Sequence, residues 1–286
     1  MAARAPTQRL LRLSRPISTQ TTASTSASPK TASTTTLNPA HNQTITLPDG
    51  RTLGFAEYGD PRGRKTLLYF HGYPSSRVEA KLLDKLALAH SIRILALDRP
   101  GYGLSTPQRP RRSLLDWPRD VEAFAASQHL DRFAVLGLSG GGPFALVNEQ
   151  AREKEARRLK ADPAARPSTV TAPDARPVAE QRAALLDMLI GEPFAQGPDG
   201  AVQEARMLTD DDWGFRLDDV TFRDSPIKIW HGTKDVNAPI EAIRYLADKL
   251  PNAELHEFDQ DTHYTMGEHI EAAVLDLMGE THKEKK

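Results

Sequence analysis

The sequence predicts an α/β fold in which a mostly parallel central sheet carries helices on both faces, and three observations predict it. Continuous apolar runs at 66–70 (TLLYF), 92–98 (IRILALD) and 132–138 (RFAVLGL) have the composition and length of strands covered on both sides. Helical spacing of apolar residues separates them, so the order strand, helix, strand, helix, strand makes successive strands parallel. The chain has 286 residues, enough for one such domain of roughly 250 residues without a second core.

The elements follow in order. ITLPDGRTLGFAEYG places two strand-like runs across a Pro-Asp-Gly turn and predicts a hairpin. TLLYF ends at once in His-Gly-Tyr-Pro, and RVEAKLLDKLALA (77–89) predicts the first helix. IRILALD is the next strand. LLDWPRDVEAFAASQHL predicts a helix with Pro118 in its first turn, where a missing N–H costs nothing. RFAVLGL is the third buried strand. Near the end the alternation resumes as PIKIWHG, PIEAIRYLADKL, AELHEF and a helix from about Gly267 to Met278.

Composition bounds the function. The chain has no cysteine, which removes disulfides, thiolate nucleophiles and cysteine-based metal sites. No apolar run approaches the roughly 18 residues of a membrane span. The net charge of −1 conceals an asymmetry: Arg4, Arg9, Arg12, Arg15 and Lys30 stand in the first 48 residues, which have no Asp or Glu. That leaves the first 48 residues at +5 and the remainder at −6. Residues 1–43 are therefore expected to be a disordered, transit-like segment addressing a mitochondrion, the cytoplasm being the alternative address. The domain is expected over 44–280, followed by a charged tail, 281–286. Its acidic balance argues against nucleic acid as a partner.

The chemistry concentrates at VLGLSGGGPFAL (135–146). Gly137-Leu138-Ser139-Gly140-Gly141 is G-x-S-x-G where a buried strand meets a helix, the context that lifts a serine hydroxyl above the sheet. A serine nucleophile needs a base, and the base an orienting carboxylate. Asp235 follows the strand PIKIW and His263 follows AELHEF, so both fall on the sheet edge that carries Ser139. Asp259 and Asp261 compete for the acid, and His256 and His269 for the base. Backbone N–H groups of Tyr73 and Gly140 are the candidate oxyanion donors, while His71 reads as a residue that braces its own loop. No metal or cofactor is expected, because no HExxH or clustered His/carboxylate spacing occurs.

Together LPDGRTLGFAEYGDP, YFHGYPSSR, LALDRPGYGLS, VLGLSGGGPFAL, IKIWHGTKDVNAP and DTHYT resemble the α/β-hydrolase superfamily, in its esterase and lipase-like branch with an HGxP oxyanion loop. The resemblance covers about 47–149 and 184–280. It implies a serine hydrolase acting on a carboxylic ester or related acyl compound, with a small-molecule partner and Ser139 in place of the nucleophilic Asp of dehalogenases and epoxide hydrolases. It also exposes a departure. The family has another parallel strand and then a helical cap after the nucleophile helix, whereas residues 150–183 offer only the short, proline-flanked STVTAP (168–173). The fold is thus expected to be an α/β-hydrolase with a reduced or partly missing strand and cap between 150 and 220. ALLDMLI (184–190), Phe194, Trp213 and Phe215 are left as the residual cap over a small apolar acyl group. Two other readings stay open: a catalytically impaired homologue with Asp235 displaced, and an acyltransferase using the same serine.

Overall fold

The structure, a computed structural model, describes residues 39–108, 112–156, 190–220, 222 and 225–280, and side chains to 149 in the third helix. The transit-like segment up to residue 38, STVTAP, ALLDMLI up to Leu189 and the charged tail lie outside the described residues.

Five strands form one sheet in the order β1-β2-β4-β3-β5. β1 (Gln43–Thr46) and β2 (Thr52–Gly59) make the predicted hairpin, with Ile45 opposite Leu53. β2 runs antiparallel to β4 (Ile92–Leu97), and β3 (Lys65–Phe70) lies parallel between β4 and β5 (Ala134–Gly137). Alternate residues of β3 show why both faces are apolar. Leu68 and Phe70 face Trp117, Val121 and Phe124 of α2 (Trp117–Ser127) and Phe144 and Val147 of α3 (Gly142–Ala156). Leu67 and Tyr69 face the opposite layer with Leu83, Ala87 and Val274. Pro118 stands in the first turn of α2, as its missing donor allows.

The predicted helix 77–89 is instead a 3-10 helix, Arg77–Leu83, running into a short α1, Asp84–Ala89. The cause is Arg77, which is drawn inside rather than left on a solvent face. Its backbone N–H donates to Asp98 Oδ1 at 2.6 Å and its Nη1 to Asp98 Oδ2 at 3.0 Å. Similarly, the last predicted helix begins as a 3-10 turn, Thr265–His269, before α6 (Ile270–Leu277).

β6 (Ile227–Gly232) and β7 (Ala253–Phe258) pair in parallel with each other, Trp230 opposite His256, and form a separate two-stranded sheet. Among the described residues the outer edges of β5 and β6 have no strand partner, as the sequence gap implies. Beneath them, Leu146 of α3 packs with Val220, Leu250, Ile227 and Ile229 in a third apolar cluster. The helix α5 (Ile240–Lys249) connects β6 to β7. The last helix, α6 (Ile270–Leu277), touches both sheets: Val274 enters the core with Leu67 and Ile94, and Asp276 accepts from Lys228 Nζ at 2.6 Å. No described helix is long and apolar enough to cross a membrane.

Candidate active site

β5 ends in a turn that few sequences tolerate. Ser139 has φ of +48°, a left-handed conformation costing a residue with a Cβ about 1–2 kcal/mol. The 3-10 turn Ser139–Gly141 then starts α3. A Cβ on Gly137 would strike the Gly141 carbonyl, and one on Gly141 would strike the Phe70 carbonyl. Those two glycines let the arms of the turn pass, whereas Gly142 has open space around its missing Cβ. The result is a solvent-exposed Ser139 at the sheet's carboxyl edge.

The other two predicted residues reach it. Ser139 Oγ lies 2.9 Å from His263 Nε2, and His263 Nδ1 lies 2.7 Å from Asp235 Oδ2. Asp235 Oδ1 accepts the N–H of Asn237 at 2.8 Å and that of Ala238 at 3.0 Å. Burial works to raise the Asp235 carboxyl, but the Ala238 N–H, the His263 imidazole and the Asn237 N–H outweigh it and hold the carboxyl below its ordinary value. An ionised Asp235 fixes the proton of His263 on Nδ1, leaving a lone pair on Nε2 toward the serine hydroxyl. The loops after β6 and β7 are stitched together: Lys234 N–H donates to the Asp261 carbonyl at 2.9 Å, and a Cβ on Gly232 would strike that same carbonyl.

The competing residues are engaged elsewhere. His269 Nε2 pairs with Asp261 Oδ2 at 3.0 Å, and the His256 ring stacks on Trp230 at 4.9 Å. Asp259 joins its loop through the backbone carbonyl, which accepts from the Thr233 hydroxyl, and the carboxylate that meets His263 Nδ1 is that of Asp235. Asp235 is not displaced by the break in the sheet.

The loop after β3 approaches from the other side. A Cβ on Gly140 would lie 2.6 Å from Tyr73 Cβ and 3.4 Å from Tyr73 N, so the two candidate oxyanion donors are neighbours. His71 is fully buried and braces this loop as expected, its Nδ1 donating to the Gly72 carbonyl at 2.8 Å and its Nε2 accepting the Arg99 N–H at 3.2 Å. Burial, helped by the Arg99 charge, holds the imidazole well below its ordinary value, hence neutral.

Sequence reasoning missed the residues that hold the loop in place. Arg99 donates to the His71 carbonyl and, at 3.0 Å, to that of Gly72, while its Nε and Nη2 bind Glu204 at 2.7 and 2.6 Å. Glu204 belongs to α4 (Asp199–Leu208), the main helix of the residual cap. A second tie joins Arg77 to Glu192 at 2.6 Å. α4 comes close because two glycines meet: a Cβ on Gly200 would lie 2.6 Å from the Gly101 carbonyl oxygen. Glu79, also missed, accepts the Gly72 N–H at 2.7 Å and the Tyr69 hydroxyl at 3.0 Å. The one available signal was charge placed within or beside glycine-rich loops, and charge there is more often solvated.

The site opens into a groove of about 2600 Å³. Ordinary small-ligand pockets hold about 300–1,000 Å³, so this groove is the site together with the gap between the two sheets. Val135 and Leu136 of β5 and Ile227 and Ile229 of β6 line it, as do Trp213 and Phe215. Phe194, expected over the substrate, is not among the lining residues.

Residues 67–277 match a profile described as the Alpha/beta hydrolase family. The chain is 25% identical over 272 residues to a non-heme chloroperoxidase from Streptomyces lividans, covering 82% of this chain and 98% of that protein. It is 26% identical over 283 residues to a 2-hydroxy-6-oxononadienedioate/2-hydroxy-6-oxononatrienedioate hydrolase from Cupriavidus pinatubonensis, covering 82% and 94%. Among solved structures, an esterase from Exiguobacterium antarcticum superposes with a TM-score of 0.62 at 16% identity, over 83% of this chain and 99% of its own. That likeness speaks to the fold. With a profile running from β3 to the end of α6 and relatives matched along almost their whole length, the chain belongs to the alpha/beta hydrolase family.

Proposed function

We propose that the protein is a serine hydrolase that cleaves a carboxylic ester or related acyl compound. Ser139 Oγ attacks the carbonyl carbon as His263 Nε2 takes its proton, and Asp235 stabilises the imidazolium. The N–H groups of Tyr73 and Gly140 accept the charge that develops on the carbonyl oxygen. His263 then returns the proton to the leaving alkoxide, giving an acyl-enzyme and an alcohol. Water, deprotonated by His263, releases the acid and restores the serine.

One observation carries this reading: an alcohol, an imidazole and a carboxylate from three loops form a continuous relay at 2.9 and 2.7 Å. A fluorophosphonate probe is expected to label Ser139 in the folded protein, and Ser139→Ala is expected to abolish labelling and lower kcat/KM for p-nitrophenyl acetate by about a thousandfold or more. Hydrolysis that survives the substitution undiminished overturns the proposal. The impaired-homologue reading draws on the open edges of β5 and β6; unlabelled Ser139 in folded protein decides in its favour. Product analysis with an added alcohol acceptor separates hydrolysis from acyl transfer.

A further inference from the structure

Glu79 stands out among the carboxylates around the site. Asp98 pairs with Arg77, Glu192 with Arg77, Glu204 with Arg99 and Asp235 with the imidazole of His263. Glu79 alone of these has neither an arginine nor a histidine at ion-pair distance among the described residues. Its Oε2 accepts the hydrogen bonds from Gly72 N–H and the Tyr69 hydroxyl, and its Oε1 accepts none among the described residues. Oε1 is not sealed from solvent, and a carboxylate oxygen retains capacity for further donors.

The free oxygen is well placed. Glu79 lines the same groove as Gly72, Tyr73 and Ser139. The point where a Cβ on Gly72 would sit is 3.3 Å from Glu79 Oε1 and 3.7 Å from Ser139 Cβ, so these two atoms are no more than about 7 Å apart. Nothing but the absent side chain of Gly72 stands at that point. That span admits an ester whose ammonium lies two bonds from the carbonyl carbon on the acyl side or four bonds from it on the alcohol side.

We infer that Glu79 Oε1 is the recognition site for a cationic group on the substrate, a primary or quaternary ammonium carried by the ester that Ser139 attacks. The inference rests on the serine hydrolase reading above and narrows its substrate class. Glu79 then has two duties on two oxygens: Oε2 holds the oxyanion loop and Oε1 receives the cation, at a strength raised by the charge on both partners.

The test compares matched esters in the wild type and in Glu79→Gln, whose amide oxygen can still accept from Gly72 and Tyr69. One arm sets L-alanine methyl ester against methyl propionate, with charge on the acyl side. The other sets acetylcholine against 3,3-dimethylbutyl acetate, with charge on the alcohol side. The readout is the change from wild type to Glu79→Gln in the ratio of kcat/KM for the cationic over the neutral ester, a double ratio in which the intrinsic reactivity of each pair cancels. Glu79→Gln is expected to lower that ratio about tenfold or more in one arm, and that arm identifies the side. A parallel fall of both members in both arms reduces Glu79 to a loop anchor and overturns the inference. Fluorophosphonate labelling of Ser139 distinguishes the failures: labelled protein with an unchanged ratio removes the cation site alone. If Ser139 is unlabelled, choline binding by calorimetry decides, with about tenfold weakening in Glu79→Gln supporting the site and equal or absent binding removing it.

Discussion

β4 and β6 are similar strings, IRILAL and IKIWHG, and they meet different fates. Every residue of β4 is buried between two neighbouring strands and two helical layers, while β6 has one strand neighbour among the described residues and five of its six residues are only half-buried. An apolar run therefore announces a strand without announcing how much stability it contributes. That depends on what stands beside it: among the described residues β6 has a strand on one side only, where β4 has a partner on each side.

Three measurements break or sharpen this contrast. The largest effect is expected where charge is sealed inside the well-packed half: Arg99→Ala leaves Glu204 buried and unpaired and frees the His71 and Gly72 carbonyls, costing about 3–5 kcal/mol of unfolding free energy in urea titrations. A near-zero change would show that the cap is not tied to the loop through this pair. Next, Leu95→Ala in β4 is expected to cost about 2–5 kcal/mol, because the hole is closed on all sides. Ile229→Ala in β6 is expected to cost about 1 kcal/mol, because solvent already reaches the strand. Hydrogen exchange should agree, with β6–β7 amides exchanging through openings smaller than those that expose β3 and β4. Equal costs at the two positions would mean that the gap is filled in solution.

The smallest effect is set by pH. His71 is neutral in the fold because its pKa is depressed, whereas in the unfolded chain it takes up a proton below about 6.5. Stability is thus full above that value and declines as pH falls through it toward the folded pKa, since the unfolded state then binds more protons. His71→Asn is expected to flatten this part of the stability profile relative to the wild type. A wild-type profile that is level between pH 7 and 5 would contradict the assignment of a neutral, sealed imidazole.

Legibility in the sequence divides along the same line. The succession of strands, the turn at Ser139 and the position of Asp235 and His263 after their strands were readable, because strand-to-loop transitions are local. The segment after α3, where the sequence offers no apolar strand, lies outside the described residues. Arg99 with Glu204 was not readable, for the partners are 105 residues apart and meet only once Gly101 and Gly200 bring their backbones together. The 3-10 start at Arg77 escaped for a like reason: helical spacing of leucines says nothing of Asp98 drawing the arginine inward. Glu79 carries no pattern at all. Its meaning lies in the one oxygen that its neighbours leave alone.

The final helix holds none of the reacting atoms, yet it works as a clasp. Ser139 stands on the five-stranded sheet and its two partners follow the two-stranded one. α6 fastens one to the other by burying Val274 against the first and receiving Lys228 from the second, and Met278 just beyond it accepts Lys65 Nζ at 2.7 Å. A chain cut just before Ile270 would keep every member of the relay and lose the part that sets their spacing. The spacing of Ser139, His263 and Asp235 is thus set by a helix that carries none of them.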